Sequence, residues 1–176
     1  VGRIWQNRLV DELVPVRTAW LELCARFASP APKLPVSFEF GELRFDDWVD
    51  QLRSDGGATA WLGQMSSRVL TKSGEVRAEK LVDAWLRQMA CAAAGRQVDG
   101  FLLARDALLT ISPAPQGEAT EAFGAVLRWW RANLDAPLPV ACKTALALLR
   151  EDGDPRKCYD GSYRIEGEAR ELCLSR

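Results

Sequence analysis

The apolar period of this chain changes at one proline-rich stretch, Ser29-Pro-Ala-Pro-Lys-Leu-Pro35. Before it, Leu9, Leu13, Val16, Trp20, Leu23 and Phe27 recur in alternating steps of four and three, the stripe of one helix. The spacing predicts a helix over residues 4–27, with Pro15 either kinking it or opening a second helix in its first turn. After the stretch, Val36, Phe38 and Phe40 alternate with Ser37, Glu39 and Gly41, as in a strand buried on one face. The prolines read as a stiff linker. Residues 1–35 are thus expected to be a helical lead-in and linker, and residues 36–176 an α/β domain.

The later pattern supports that class. A second extended stretch is expected around Leu43–Leu52, then a turn at Asp55-Gly56-Gly57, then strands over Ala58–Leu62 and Arg68–Thr71. Leu81, Trp85 and Met89 predict a helix over 77–94, stopped by Gly95. Strands follow at Val98–Ala104 and Ala107–Ser112. A helix over 118–134 has Phe123, Val126, Leu127 and Trp130 on one face. Pro137–Ala141 reads as extended, Thr144–Arg150 as a short helix, and the polar tail after Asp152 as irregular. Strands interleaved with helices predict an α/β fold, with a mixed sheet flanked by helices. Trp20, Trp61 and Trp85 sit on apolar patterns and are expected in the core.

Several chemistries are excluded. Histidine is absent, so neither a Ser-His-Asp nor a Cys-His site can be built. The five cysteines (Cys24, Cys91, Cys142, Cys158 and Cys173) are scattered without a CxxC pair, which reads as buried or idle thiols in a reducing cytoplasm rather than a zinc site. Charge is balanced, 23 basic against 24 acidic side chains, unlike a freestanding nucleic-acid binder. No apolar run reaches membrane-span length, and no signal-peptide pattern opens the chain. The first residue is Val, which reads as a fragment or a processed product.

Three segments carry a resemblance. Val76-Arg-Ala-Glu-Lys-Leu-Val-Asp-Ala-Trp-Leu-Arg-Gln-Met-Ala-Cys-Ala-Ala-Ala-Gly95 and Ala136-Pro-Leu-Pro-Val-Ala-Cys-Lys-Thr-Ala-Leu-Ala147 are two of them. The third is Cys158-Tyr-Asp-Gly-Ser-Tyr163 followed by Gly167-Glu168. In order and spacing they resemble the C-terminal domain of the exodeoxyribonuclease V gamma subunit family (RecC). The resemblance implies a degenerate restriction-endonuclease-like fold of the PD-(D/E)xK type. It also implies the beta and alpha subunits of a bacterial helicase-nuclease complex as partners, DNA within that complex, and a cytoplasmic location.

Active relatives of that fold hold divalent metal on an Asp and, one hairpin later, an acid-x-Lys motif. Trp48-Val-Asp-Gln-Leu52 resembles the first element, with Asp50 at the ligand position. Gly63 then stands at the second carboxylate and Met65 at the lysine, and Ala58–Val69 contains neither acid nor Lys. The resemblance therefore implies no catalytic residue, no metal and no cofactor, with Asp50, Gly63 and Met65 as degenerate positions. The rival is an active metal-dependent nuclease whose site has migrated into Glu39, Glu42, Asp46, Asp47 and Asp50, with a lysine such as Lys72. Arg68, Lys72, Arg77 and Lys80 are candidates to touch a phosphate backbone. Trp129 and Trp130 lie about 100° apart on their helix and cannot share one core, which makes them candidate interface anchors. The function expected is a non-catalytic scaffold and DNA-path domain in double-strand-break repair. A globular interaction domain unrelated to DNA is the third reading.

Overall fold

The computed structural model describes residues 2–135, 141–150, 153–163 and 165–170. Most of the segment expected to be extended at 137–141 lies outside these, as does Cys173. The chain divides into two compact units, Val1–Arg77 with Leu81–Val126, and Ala78–Lys80 with Leu127–Arg176.

In the first unit, α1 (Gly2–Arg26) runs through Pro15 as one helix. Its apolar stripe is buried at the far end. Leu23 and Phe27 are buried with Ala60, Leu62 and Phe101, and Trp20 and Cys24 pack against them, whereas Leu13 is 55% exposed. The Phe27 and Phe101 rings lie 5.4 Å apart.

The expected linker is strand at both ends, Ser29–Pro30 and from Leu34 on, with residues 31–33 between them. β1 (Ser29–Pro30) pairs with β4 (Leu52–Ser54), Ser29 opposite Ser54. Proline is tolerated there because an edge strand bonds on one side only. Arg53 fixes the approach, donating from Nε to Phe27 O at 2.6 Å and from Nη2 to Ala28 O at 2.8 Å.

β2 (Leu34–Phe40) and β3 (Leu43–Val49) form an antiparallel hairpin of their own. Phe38 and Phe45 of this hairpin meet Phe123 of α3 (Gln116–Asp135) at 5.3 and 5.4 Å. Gly124 beside it is required, because a Cβ there would stand 2.7 Å from Phe40 Cε1. The single extended stretch expected over 43–52 is broken by Gln51, whose φ of 58° redirects the chain into the other sheet.

That sheet has the order β1-β4-β5-β6-β7, with β5 (Thr59–Gln64), β6 (Asp99–Leu103) and β7 (Leu108–Ile111). β5 and β6 are parallel and every other pair is antiparallel, so the sheet is mixed, as the sequence predicts. The crossover between β5 and β6 carries α2 (Val82–Ala93).

Four local expectations are corrected. Arg68–Thr71 is not a strand but makes one bridge, Leu70 to Val76. The Asp106 carboxylate takes the place of a strand partner, accepting from Val69 N at 2.8 Å and Leu70 N at 3.2 Å. The helix expected from residue 77 begins as a 3₁₀ turn, Ala78–Lys80, before α2. The buried face of α2 centres on Ala84, Gln88 and Cys91, so Trp85 is exposed, while Trp61 is buried and Trp20 partly so. On α3, Phe123 and Leu127 are buried but Trp130 is not.

In the second unit the tail expected to be irregular is folded. The short helix expected over 144–150 is α4 (Cys142–Leu148), and the tail holds α5 (Pro155–Asp160), the short pair β8 (Gly161–Ser162) and β9 (Ile165–Glu166), and a closing turn, Glu168–Arg170. Asp154 caps α5 by accepting from Lys157 N at 3.0 Å, with Pro155 in the first turn. The buried Glu168 carboxylate accepts from Lys143 N, Thr144 N and Thr144 Oγ1, each at 2.8 Å, and so closes the start of α4.

Candidate functional site

Asp50, Gln51 and Gln64 line one groove beside the end of the β4–β5 ladder. Leu52 faces Trp61, and Leu62 N donates to Gln51 O at 3.4 Å. The ladder stops at the Leu52–Trp61 pair, and Gln51, with φ of 58°, stands between it and Asp50. Asp50 lies in the bend between β3 and β4 rather than in a strand, and is half-buried. A two-carboxylate metal site needs a second acid near Asp50, and β5, Thr59–Gln64, carries none.

The space for that carboxylate is tight. A Cβ on Gly63 would lie 3.2 Å from Trp61 Cζ3 and 3.3 Å from Leu102 Cδ1. Met65, at the lysine position, donates its backbone N–H to Leu103 O at 2.8 Å and has no side chain able to orient water. Arg87 of α2 lies over the Trp61 ring, 5.5 Å from its centroid, and donates to Gln51 Oε1 at 3.3 Å. A guanidinium held beside Gln51, the neighbour of Asp50, opposes entry of a divalent cation. A groove lined by Trp20, Lys33, Asp50, Arg53 and Gln64 opens here. Its two cations are engaged, Arg53 on the carbonyls of Phe27 and Ala28 just after α1 and Lys33 over the Trp48 ring at 4.7 Å.

The acidic run does not gather around a cation. Asp46 accepts from Ser37 Oγ and from Arg44 Nε, each at 2.6 Å, and these two partners hold its carboxyl below the usual range. Glu39 stands opposite Arg44 in the hairpin, and Asp47 accepts from Trp48 N at 2.8 Å. Among the described residues no three Asp, Glu or Cys side chains form a group able to hold a metal ion. Lys72 lies on the loop after β5, exposed.

Arg68 and Arg77 share that loop with Lys72, and all three are exposed in the first unit. Lys80 is exposed on the 3₁₀ turn of the second unit. Trp129 and Trp130 are both exposed, at 70% and 56%. They sit between Arg128 and the Arg131–Asp135 pair, which closes at 2.7 Å.

Among the free thiols, burial pushes Cys91 up to about 11, so it is no nucleophile near neutral pH. The working polar groups that sequence reasoning passed over are Gln88, Arg87, Asp106 and Glu168. Gln88 carried one signal, a lone polar residue on the apolar face of a helix. Glu168 lay inside a quoted motif with no role attached.

Residues 1–153 match the family model described as the RecC C-terminal domain. No curated protein matches the chain. Among the described residues no helix is long and apolar enough to cross a membrane.

Proposed function

Because the chain belongs to the RecC C-terminal domain family, whose members act within a multisubunit DNA-repair complex, we propose that it serves there as a non-catalytic domain. It keeps the architecture of a nuclease, holds partner subunits together and borders the DNA path. The observation that supports this reading is that Asp50 lines a groove with Gln51, Arg53 and Gln64 and without a second acid among the described residues, while Arg87 is held on Gln51. A lone carboxylate does not hold Mg²⁺ in a useful way.

The remaining surfaces fit the same role. Arg68, Lys72, Arg77 and Lys80 are free to touch phosphates, and Trp129 and Trp130 are exposed as anchors for the beta or alpha subunit. The decisive experiment is cleavage of single- and double-stranded DNA by the chain with Mg²⁺ or Mn²⁺. None is expected. Metal-dependent cleavage that disappears in Asp50→Ala would overturn the proposal.

A further inference from the structure

Three of the cations offered to phosphates share one small hairpin. Thr71 N donates to Glu75 O at 2.8 Å and Gly74 N to Thr71 O at 3.1 Å, which turns the chain back around Lys72 and Ser73. Leu70 bridges Val76, and Arg77 N donates to Val69 O at 2.8 Å. Arg68 and Arg77 thus stand on adjacent arms, with Lys72 at the tip. All three are exposed, and none is in a salt bridge among the described residues.

Two arms this short do not hold a shape in water by themselves. The turn between β6 and β7 supplies the anchor. Arg105 N donates to Ser67 O at 3.4 Å. The Asp106 carboxylate accepts from Val69 N at 2.8 Å and from Leu70 N at 3.2 Å, one on each oxygen. Val69 is fully buried, so its amide depends on that carboxylate. The Val69 amide above all, then the Leu70 amide and the Arg68 charge, hold the Asp106 carboxyl below its usual range, so it is ionised at neutral pH.

We propose that Asp106 is a positioning residue for a DNA backbone: it fixes the hairpin so that Arg68, Lys72 and Arg77 meet the phosphates of a duplex without first having to be ordered. This rests on the reading of those three side chains as phosphate contacts. Charge alone makes the opposite claim. An acid beside three cations repels DNA, so its removal would tighten binding. A positioning residue does the reverse, because a loosened hairpin must be ordered at the moment of binding, and that ordering costs affinity.

Amide chemical shifts of the whole chain, titrated with a short mixed-sequence DNA duplex at low salt, test this, since even weak contacts move shifts. In the unaltered chain residues 68–77 are expected to shift, and Arg68→Ala, Lys72→Ala and Arg77→Ala together to abolish those shifts. Asp106→Asn removes the charge and keeps one acceptor. It is expected to weaken the hairpin's contact with DNA by about three-fold or more, against the sign that charge predicts. Asp106→Ser serves the same comparison if the Asn variant misfolds. Equal or tighter contact in the variant, where residues 68–77 of the unaltered chain do shift, overturns the inference and leaves the phosphate reading standing. A loss of the same size at DNA-shifted amides outside the hairpin marks a general structural effect and overturns the inference too. Absence of shifts over 68–77 in the unaltered chain, or shifts that survive the triple replacement, overturns the phosphate reading and the inference with it.

Discussion

Trp61 and Gln88 are joined in the core of the first unit. The indole Nε1 donates to Gln88 Oε1 at 2.8 Å, and Gln88 Nε2 donates onward to Val98 O at 2.7 Å. Gln88 is fully buried and satisfied at both ends, so it ties α2 to the strand below it and to the chain entering the next.

Gln88→Leu is therefore expected to destabilise the chain by roughly 2–4 kcal/mol, because it strands both the Trp61 donor and the Val98 carbonyl. Denaturant unfolding followed by tryptophan fluorescence measures this. A loss below about 0.5 kcal/mol would mean that water replaces the amide.

Glu168 gives the second unit a dependence on acid. Burial alone would raise its carboxyl. The amides of Lys143 and Thr144, the Thr144 hydroxyl and the Lys143 charge outweigh that and hold it below the ordinary value. A depressed value contributes stability above the unfolded carboxylate range, about 4.3, that is lost as pH falls through the lower folded value. Amide protection at the start of α4 should be flat from neutral pH to about pH 5 and then fall. Glu168→Gln should remove roughly 1–3 kcal/mol at pH 7 and abolish this acid step. An unchanged step in the variant would assign it to another group.

Binding of the chain to duplex DNA is expected to be weak even at about 50 mM salt and to change little up to about 200 mM, since a chain of net charge −1 releases few counterions. Replacing Arg68, Lys72 and Arg77 together with Ala should flatten whatever salt slope remains. A tight complex that persists at high salt would contradict this.

Trp129, the more exposed of the adjacent pair, is expected to tolerate Ala without a change in melting temperature while assembly with partner subunits weakens by about 2–4 kcal/mol. Co-purification beside a melting curve separates the two effects. Normal assembly of both Trp129→Ala and Trp130→Ala would remove this part of α3 from the interface.

The strands and helices that the sequence made legible are those with a strong period. Val36, Phe38 and Phe40 announce β2, and Gly95, with φ of 72°, ends its helix as expected. Elements fixed by a distant side chain were not legible. Ser29–Pro30 became a strand because Arg53 draws it onto β4, and residues 69–70 stayed a loop because Asp106 takes their amides. That no acid or lysine stands between Ala58 and Val69 was readable in the sequence itself. Arg87 was not, since a lone arginine on a helix gives no sign of the ring it will cover.

The docking of Phe38 and Phe45 on Phe123 has a consequence for how the chain acquires its shape. The ribbon can close early from local contacts, but its aromatic side waits for a helix encoded near the opposite end of the first unit. Contacts so distant in sequence bear a large loop-closure entropy and form late. On a ribosome, which delivers the ribbon first, that greasy side stands bare until α3 emerges, so a nascent chain stalled before Phe123 is the species most in need of a chaperone.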